Sequence, residues 1–590
     1  MSPSPTRRTW GPSMMEDGHV RFRLWAPAED RVTLIAGGHE IAMHAQADGW
    51  HEVETDLVRP GSPYLYRLAD DSEIADPASH AQLADVEGPS IVTDHESYAW
   101  RNTGWKGRPW EDAVIYELHI GTFTPQGTFR AAIEHLPHLH DIGITAIEIM
   151  PVAHFSGQRG WGYDGVLHYA PHPAYGTPDD LKALVDAAHD HGIMVLLDVV
   201  YNHFGPVGNM LHRIAPPFFH PERHTPWGAA LAFEREPVRR YFIDNALHWL
   251  LDYRFDGLRF DATEEIVDES HHHVLLEMAA TIRQTVTDRQ VHLVVEDQAK
   301  RKSLLNRDGG DVHHYTAAWN DVFHHALHII ATGEDGGHYA KYRDDTDDVL
   351  RRATARGFVS EDQESDRVGP LPQKPLPQQV NVNFLQNHDQ VGNRAFGERL
   401  LTLTDPALYR VMSALLFLAP PVPLLFMGEE FGERRPFHFF ADFDGELAEA
   451  TRAGRIDEAE NFGGLPDGKT ADDLPDPNDE QTFLASKLDW SHAASPEGQR
   501  HGAFVRSLIR LRQAKIRPLL AEGEAPEPSI LAPDPGTLAI DWHFAEKTLS
   551  IRANFTNEKR NWPSSSGETV FEIPAVGDAG PSIAVSIRPT

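Results

Sequence analysis

Between residues 113 and 430 the chain alternates short, almost wholly apolar runs with stretches of helical periodicity. The runs are AVIYELHI (113–120), TAIEIMPV (145–152), IMVLLDVVYNH (193–203), GLRFDA (257–262), VHLVVED (291–297), QVNVNFLQNHD (379–389) and PLLFMGEE (423–430). Strands that are apolar on both faces belong in a parallel sheet covered by helices, since a sheet with one wet face would alternate. Helical stretches fall between them at 130–140, 178–191, 237–253, 271–289, 323–331 and 408–417. About eight such units over roughly 320 residues fit an α/β chain closed into a (β/α)8 TIM barrel with insertions.

The flanks have a different texture. VRFRLWAP (20–27), RVTLIAG (31–37) and YLYRL (64–68) are short strands between turns, the pattern of an immunoglobulin-like β-sandwich. Residues 436–485 are rich in Pro, Gly, Asp and Glu and predict loops with a short charged helix. After them HGAFVRSLIRLRQA predicts a helix leading to strands at TLAIDWHF and TLSIRANF. The expected division is an N-terminal sandwich over 1–105, the barrel over 106–495 and a C-terminal β domain over 496–590.

Several strands end in an acid: Asp198, Asp261, Glu296 and Asp389. Functional groups of such a barrel sit where the strands end. A single acid there is most simply a helix N-cap. Four at one mouth, with no glycine-rich phosphate loop, point to carbohydrate, because glycoside cleavage needs one protonated and one ionised carboxyl flanking the bond. Charge agrees. The chain has 53 Lys plus Arg against 88 Asp plus Glu, a net charge of −35. Such a surface repels phosphate backbones and anionic headgroups, so no nucleic acid and no membrane are expected as partners. The absence of cysteine excludes thiolate metal sites, iron–sulfur clusters and a cysteine nucleophile, and fits a cytoplasmic protein. No apolar run of signal-peptide length follows Arg7 and Arg8, and the longest apolar stretch, 414–427, is broken by Pro420, Pro421 and Pro423. Histidines cluster at 135, 138 and 140, at 271–273 and at 313–314, with the spacings of surface helices and loops; no metal and no cofactor are expected.

The strings DVVYNH (198–203), GLRFDA (257–262), VVED (294–297) and FLQNHD (384–389) resemble, in order, the four conserved regions of the alpha-amylase superfamily. The resemblance implies Asp261 as nucleophile, Glu296 as general acid/base and Asp389 as the acid that grips sugar hydroxyls. It also implies Arg259 holding Asp261 ionised, Asn202, His203 and His388 lining the same subsite, and Asp198 as a brace. Tyr163, in WGYDG, would be the aromatic surface under that sugar, with Trp161 as its companion. QNHDQVGNR (386–394), WNDVFHHAL (319–327), PLLFMGEEF (423–431) and YAPHPAYG (169–176) are similar to maltooligosyltrehalose trehalohydrolases. That likeness implies a retaining glycoside hydrolase acting on maltooligosyltrehalose, after a maltooligosyltrehalose synthase has made it. It would cleave the α-1,4 bond next to the terminal trehalose. Two stretches depart from the family: Ala262–Thr263–Glu264–Glu265 stands where a Val–His pair is usual, and Val295–Glu296–Asp297–Gln298 where a more basic continuation is commoner. The alternatives are a general α-glucan hydrolase, a debranching or branching enzyme, or a glucan-binding protein on a disarmed barrel. The last would have lost a catalytic acid, and all three are present.

Overall fold

The computed structural model describes residues 8–308, 311–357, 368–462, 464–466, 468–521, 525–531, 534–559, 567–575 and 579–590. Eight parallel strands close a barrel: β1 (Ile115–Leu118), β2 (Ala146–Ile149), β3 (Met194–Val199), β4 (Gly257–Phe260), β5 (His292–Val295), β6 (Ala317–Trp319), β7 (Asn381–Phe384) and β8 (Val422–Phe426). Closure pairs Ile115 with Leu424 and Glu117 with Phe426. Every strand residue is buried, which is why the runs lack alternation. Six strands lie within their apolar runs, and β8 begins one residue before its run, at Val422. β6 has only three residues, too few to register as a run.

The helical layer departs from expectation in three places, one being an unexpected helix, Thr346–Arg356, packed on Asp321–Thr332. The stretch 130–140 forms two helices, Phe129–Ile133 and Leu136–Ile142, because Pro137 has no N–H to continue the first and suits the opening turn of the second. The acidic segment after β8 holds a 17-residue helix, Gly445–Asn461, longer than the short one expected. Helix Pro178–Asp190 follows the rules closely, with Pro178 in its first turn and a capping box between Thr177 and Asp180. The helix at Pro496–Leu511 packs on Leu136–Ile142 and Pro406–Leu418, so it joins the barrel's outer layer.

The N-terminal strands form a four-stranded and a five-stranded sheet. Trp10 pins them to the barrel: its ring meets Trp25 and Trp50 edge-on, and also Tyr241 of the barrel helix Glu236–Asp252. The C-terminal strands form one five-stranded antiparallel sheet. Among the described residues no helix is long and apolar enough to cross a membrane.

Candidate active site

The C-terminal ends of β3, β4, β5 and β7 bring Asp198, Asp261, Glu296 and Asp389 together, and the last three line a cavity of about 810 Å³. Arg259 organises three of them. Its guanidinium is fully buried; Nη1 donates to Asp198 at 2.7 and 2.9 Å and to Asp261 at 2.8 Å, while Nη2 donates to Glu296 at 2.7 Å. Period-two geometry on β4 explains this: residues 259 and 261 share a strand face. The two nitrogens of one guanidinium thus hold the Asp261 and Glu296 carboxyl groups side by side.

The acids are not equivalent. Burial and the carboxylates of Asp261, Asp389 and Asp321 raise the Glu296 carboxyl well above the ordinary glutamate range, against the opposing pull of Arg259. Of the set, Glu296 is the carboxyl whose surroundings most favour the protonated form. Asp389 goes the other way: burial disfavours its charge, but the His388 imidazole, with Nε2 at 3.4 Å, holds the carboxyl low. Asp198 is pushed up to about 6 by burial, with Arg259 pulling down, and it accepts the Tyr163 hydroxyl at 2.6 Å.

The sugar-binding candidates converge on the same mouth. Asn202 Nδ2 donates to Asp261 Oδ2 at 3.1 Å, and His203 Nε2 meets the Tyr163 carbonyl at 3.0 Å. His388 lies flat against the Tyr163 ring, with centroids 5.1 Å apart at 21°. Trp161, expected beside Tyr163, serves mainly as packing. It is 5% exposed, stacks on Phe437 and donates its indole N–H to the His438 carbonyl, leaving an edge at the cavity wall.

Gly392 shows how tightly that ring supports the site. A Cβ there would lie 2.0 Å from Trp161 Cζ2, and Gly392 ends the short helix His388–Gly392 that carries Asp389. Gly392→Ala should cost about 1–3 kcal/mol by overpacking. By tilting that helix it should also lower turnover about ten- to a hundredfold. Unchanged melting temperature and turnover in the variant would show that the ring yields freely.

Comparisons with known proteins agree with this architecture. The alpha amylase catalytic-domain model matches residues 90–214. The malto-oligosyltrehalose trehalohydrolase of Deinococcus radiodurans is 42% identical over 502 residues, covering 84% of this chain and 81% of that protein. The chain belongs to the malto-oligosyltrehalose trehalohydrolase family. The namesake from Saccharolobus solfataricus is 37% identical, with 86% and 87% of the two chains covered. A crystal structure from Salmonella typhimurium, described as an alpha amylase, superposes with a TM-score of 0.93 at 47% identity, covering 99% of this chain and 100% of that one.

In this trehalohydrolase-family chain several residues at the site escape sequence reading. Glu117, inside β1, meets His388 Nδ1 at 2.5 Å and accepts the His388 backbone N–H at 3.1 Å. These contacts, with Asp389, raise the imidazole well above its ordinary range despite burial. An acid inside an apolar run carries no local signal of such a partner. Trp319 of β6 lies under the Arg259 guanidinium at 4.1 Å. Trp227, at the tip of the hairpin formed by Phe219–Thr225 and Gly228–Leu231, is 50% exposed and stacks on His203 at the cavity rim. Glu264, one of the departures from the family pattern, also lines the cavity and is pushed up to about 7 by burial and neighbouring acids.

The histidine clusters noted in the sequence lie elsewhere: His135 stacks on Trp490, His138 meets the same ring edge-on, and His273 caps a helix. Among the described residues a different group, His80, His95 and His248, brings ligand atoms within 4.8 Å of one another. His248 already spends both nitrogens, on Asp252 and on the Tyr169 carbonyl, and Arg8 and Lys182 add positive charge beside the trio.

Proposed function

We propose that the chain hydrolyses the α-1,4-glucosidic bond next to the terminal trehalose of maltooligosyltrehalose, releasing trehalose and a maltooligosaccharide with retained configuration. Membership of the trehalohydrolase family supports the substrate, and the Arg259-centred set of acids supports the chemistry. Asp261, kept beside a guanidinium, attacks the anomeric carbon while Glu296 protonates the departing oxygen. Water then attacks the glycosyl–Asp261 ester, Glu296 takes its proton, and Asp261 leaves as the free carboxylate. Asp389, held ionised by His388, binds hydroxyls of the reacting sugar, while Tyr163, backed by the His388 ring, lies under one face of it and Asn202 and His203 line its edge. Asp198 braces Arg259 and Tyr163. None of these steps calls for a metal or a cofactor. The substrate has to be supplied by an enzyme that rearranges the reducing end of a maltooligosaccharide into trehalose, and the cysteine-free chain suits the cytoplasm where such glucans are handled.

Product analysis on maltotriosyltrehalose beside maltopentaose tests the reading. Free trehalose from the first, retained at the new anomeric centre of the maltotriose, with little cleavage of the second, is the expected result. Comparable cleavage of both would make the chain a general α-glucan hydrolase, with Thr263 and Glu264 as the positions responsible.

A further inference from the structure

Beyond Glu296 the cavity wall turns sharply. Asp297 accepts the Arg301 backbone N–H at 2.6 Å and its Nε at 3.0 Å, and its carbonyl accepts the Lys300 N–H at 3.0 Å. The turn puts Lys300 at φ 55°, the left-handed region where a side chain is disfavoured and glycine would sit without strain. Lysine at such a position marks a place where the side chain has a use. Here it enters the catalytic cavity. Nζ donates to Asp321 Oδ2 at 3.2 Å and to the Trp319 carbonyl at 3.4 Å, and the two side chains are only 12% and 14% exposed. Asp321 opens the helix that follows β6, and both residues line the cavity.

We propose that the Lys300–Asp321 pair is the specificity-determining contact for the leaving trehalose unit, gripping hydroxyls of that disaccharide between a fixed donor and a fixed acceptor. The inference rests on the trehalose-releasing reading above. An acid that protonates the departing oxygen faces the departing sugar, so the wall continuing from Glu296 through Lys300 faces that sugar too. An ammonium has three N–H donors, and two are engaged with Asp321 and Trp319. The third is available to a ligand hydroxyl, and the free lone pairs of Asp321 can accept the neighbouring hydroxyl of a vicinal diol. Trehalose, joined through both anomeric carbons, presents the hydroxyls of its second ring in an orientation that maltose cannot copy. A paired donor and acceptor of fixed separation reads that difference, whereas an apolar wall would not. The ammonium also keeps Asp321 charged: burial opposes ionisation, but Lys300 and His325 hold the carboxyl below its ordinary range.

The test compares kcat/KM on maltotriosyltrehalose and maltopentaose for the unsubstituted enzyme, Lys300→Met, Asp321→Asn and Lys300→Arg. Lys300→Met and Asp321→Asn should each lower kcat/KM for the trehalose-ended substrate about ten- to a hundredfold, as expected when a charge-assisted hydrogen bond is removed. The ratio of kcat/KM for the trehalose-ended substrate to that for maltopentaose should fall about tenfold in both, because whatever Asp321→Asn does to Glu296 acts on the two substrates alike, and Lys300→Arg should recover most of the preference. The ratio of the two substrates is measured on one preparation, so partial misfolding cancels. Equal losses on both substrates would make the pair a structural brace and overturn the inference alone. No preference for the trehalose-ended substrate in the unsubstituted enzyme would overturn the functional reading, and this inference with it.

Discussion

Glu296→Gln should retain less than about a hundredth of normal turnover on a natural glucan, yet release fluoride from a maltooligosyl fluoride in a burst of one equivalent per active site. Fluoride departs without a proton, so the first step no longer needs the acid. The second step still needs Glu296 to take a proton from water, so the glycosyl-enzyme accumulates after one turnover. Asp261→Asn, lacking the nucleophile, should show neither burst nor turnover. The pH dependence carries the same information. Glu296 must enter the first step protonated, and burial together with nearby carboxylates raises its pKa, so activity falls as pH rises through that value. Glutamine cannot ionise, so the residual activity of Glu296→Gln should lose that alkaline limb. Rapid-quench fluoride release and a pH–rate profile check both. Near-normal turnover on natural glucan would remove Glu296 from the role.

Arg259→Met should be the most destabilising single change at the mouth. The guanidinium is wholly buried and carries bonds to Asp198, Asp261 and Glu296, whose side chains are 2%, 12% and 11% exposed. Removing one partner from such a set strands carboxylates in a dry site, at a cost of about 3–5 kcal/mol. Asp261 and Glu296 would also lose the guanidinium that holds them in place, so activity should fall with stability. Adding Asp198→Asn should restore part of the stability, because it removes the carboxylate that makes two bonds to Arg259 and is already pushed up to about 6. Urea denaturation of the single and double variants measures both effects. Identical midpoints for Arg259→Met and the parent would mean that the acids do not depend on the bridge.

The barrel and its acids were legible because each signal is local. Strands buried on both faces are apolar throughout, and the four motif strings carry the acids with their immediate neighbours. What escaped reading depends on partners far along the chain. β6 has three residues, too short for periodicity, yet it supplies the ring beneath Arg259. Glu117 sits within an apolar run and acquires meaning only when His388 arrives beside it. Trp161 looks like a companion of the sugar-stacking Tyr163 from its motif, but Phe437 covers a face of its ring and Gly392 abuts its edge. Lys300 gives no hint in sequence of its left-handed backbone, which arises from Asp297 binding Arg301 four residues on.

The contact between Glu117 and His388 spans 271 residues. It joins the first barrel strand to the loop after the seventh, and so forms only when most of the barrel has left the ribosome. Asp389, whose charge depends on His388, stays unset until then. A growing chain, or one cut short by a nonsense codon, would hold Asp261 and Glu296 without the partner that positions the sugar. Assembly of the sugar subsite is thereby tied to closure of the barrel through its seventh strand.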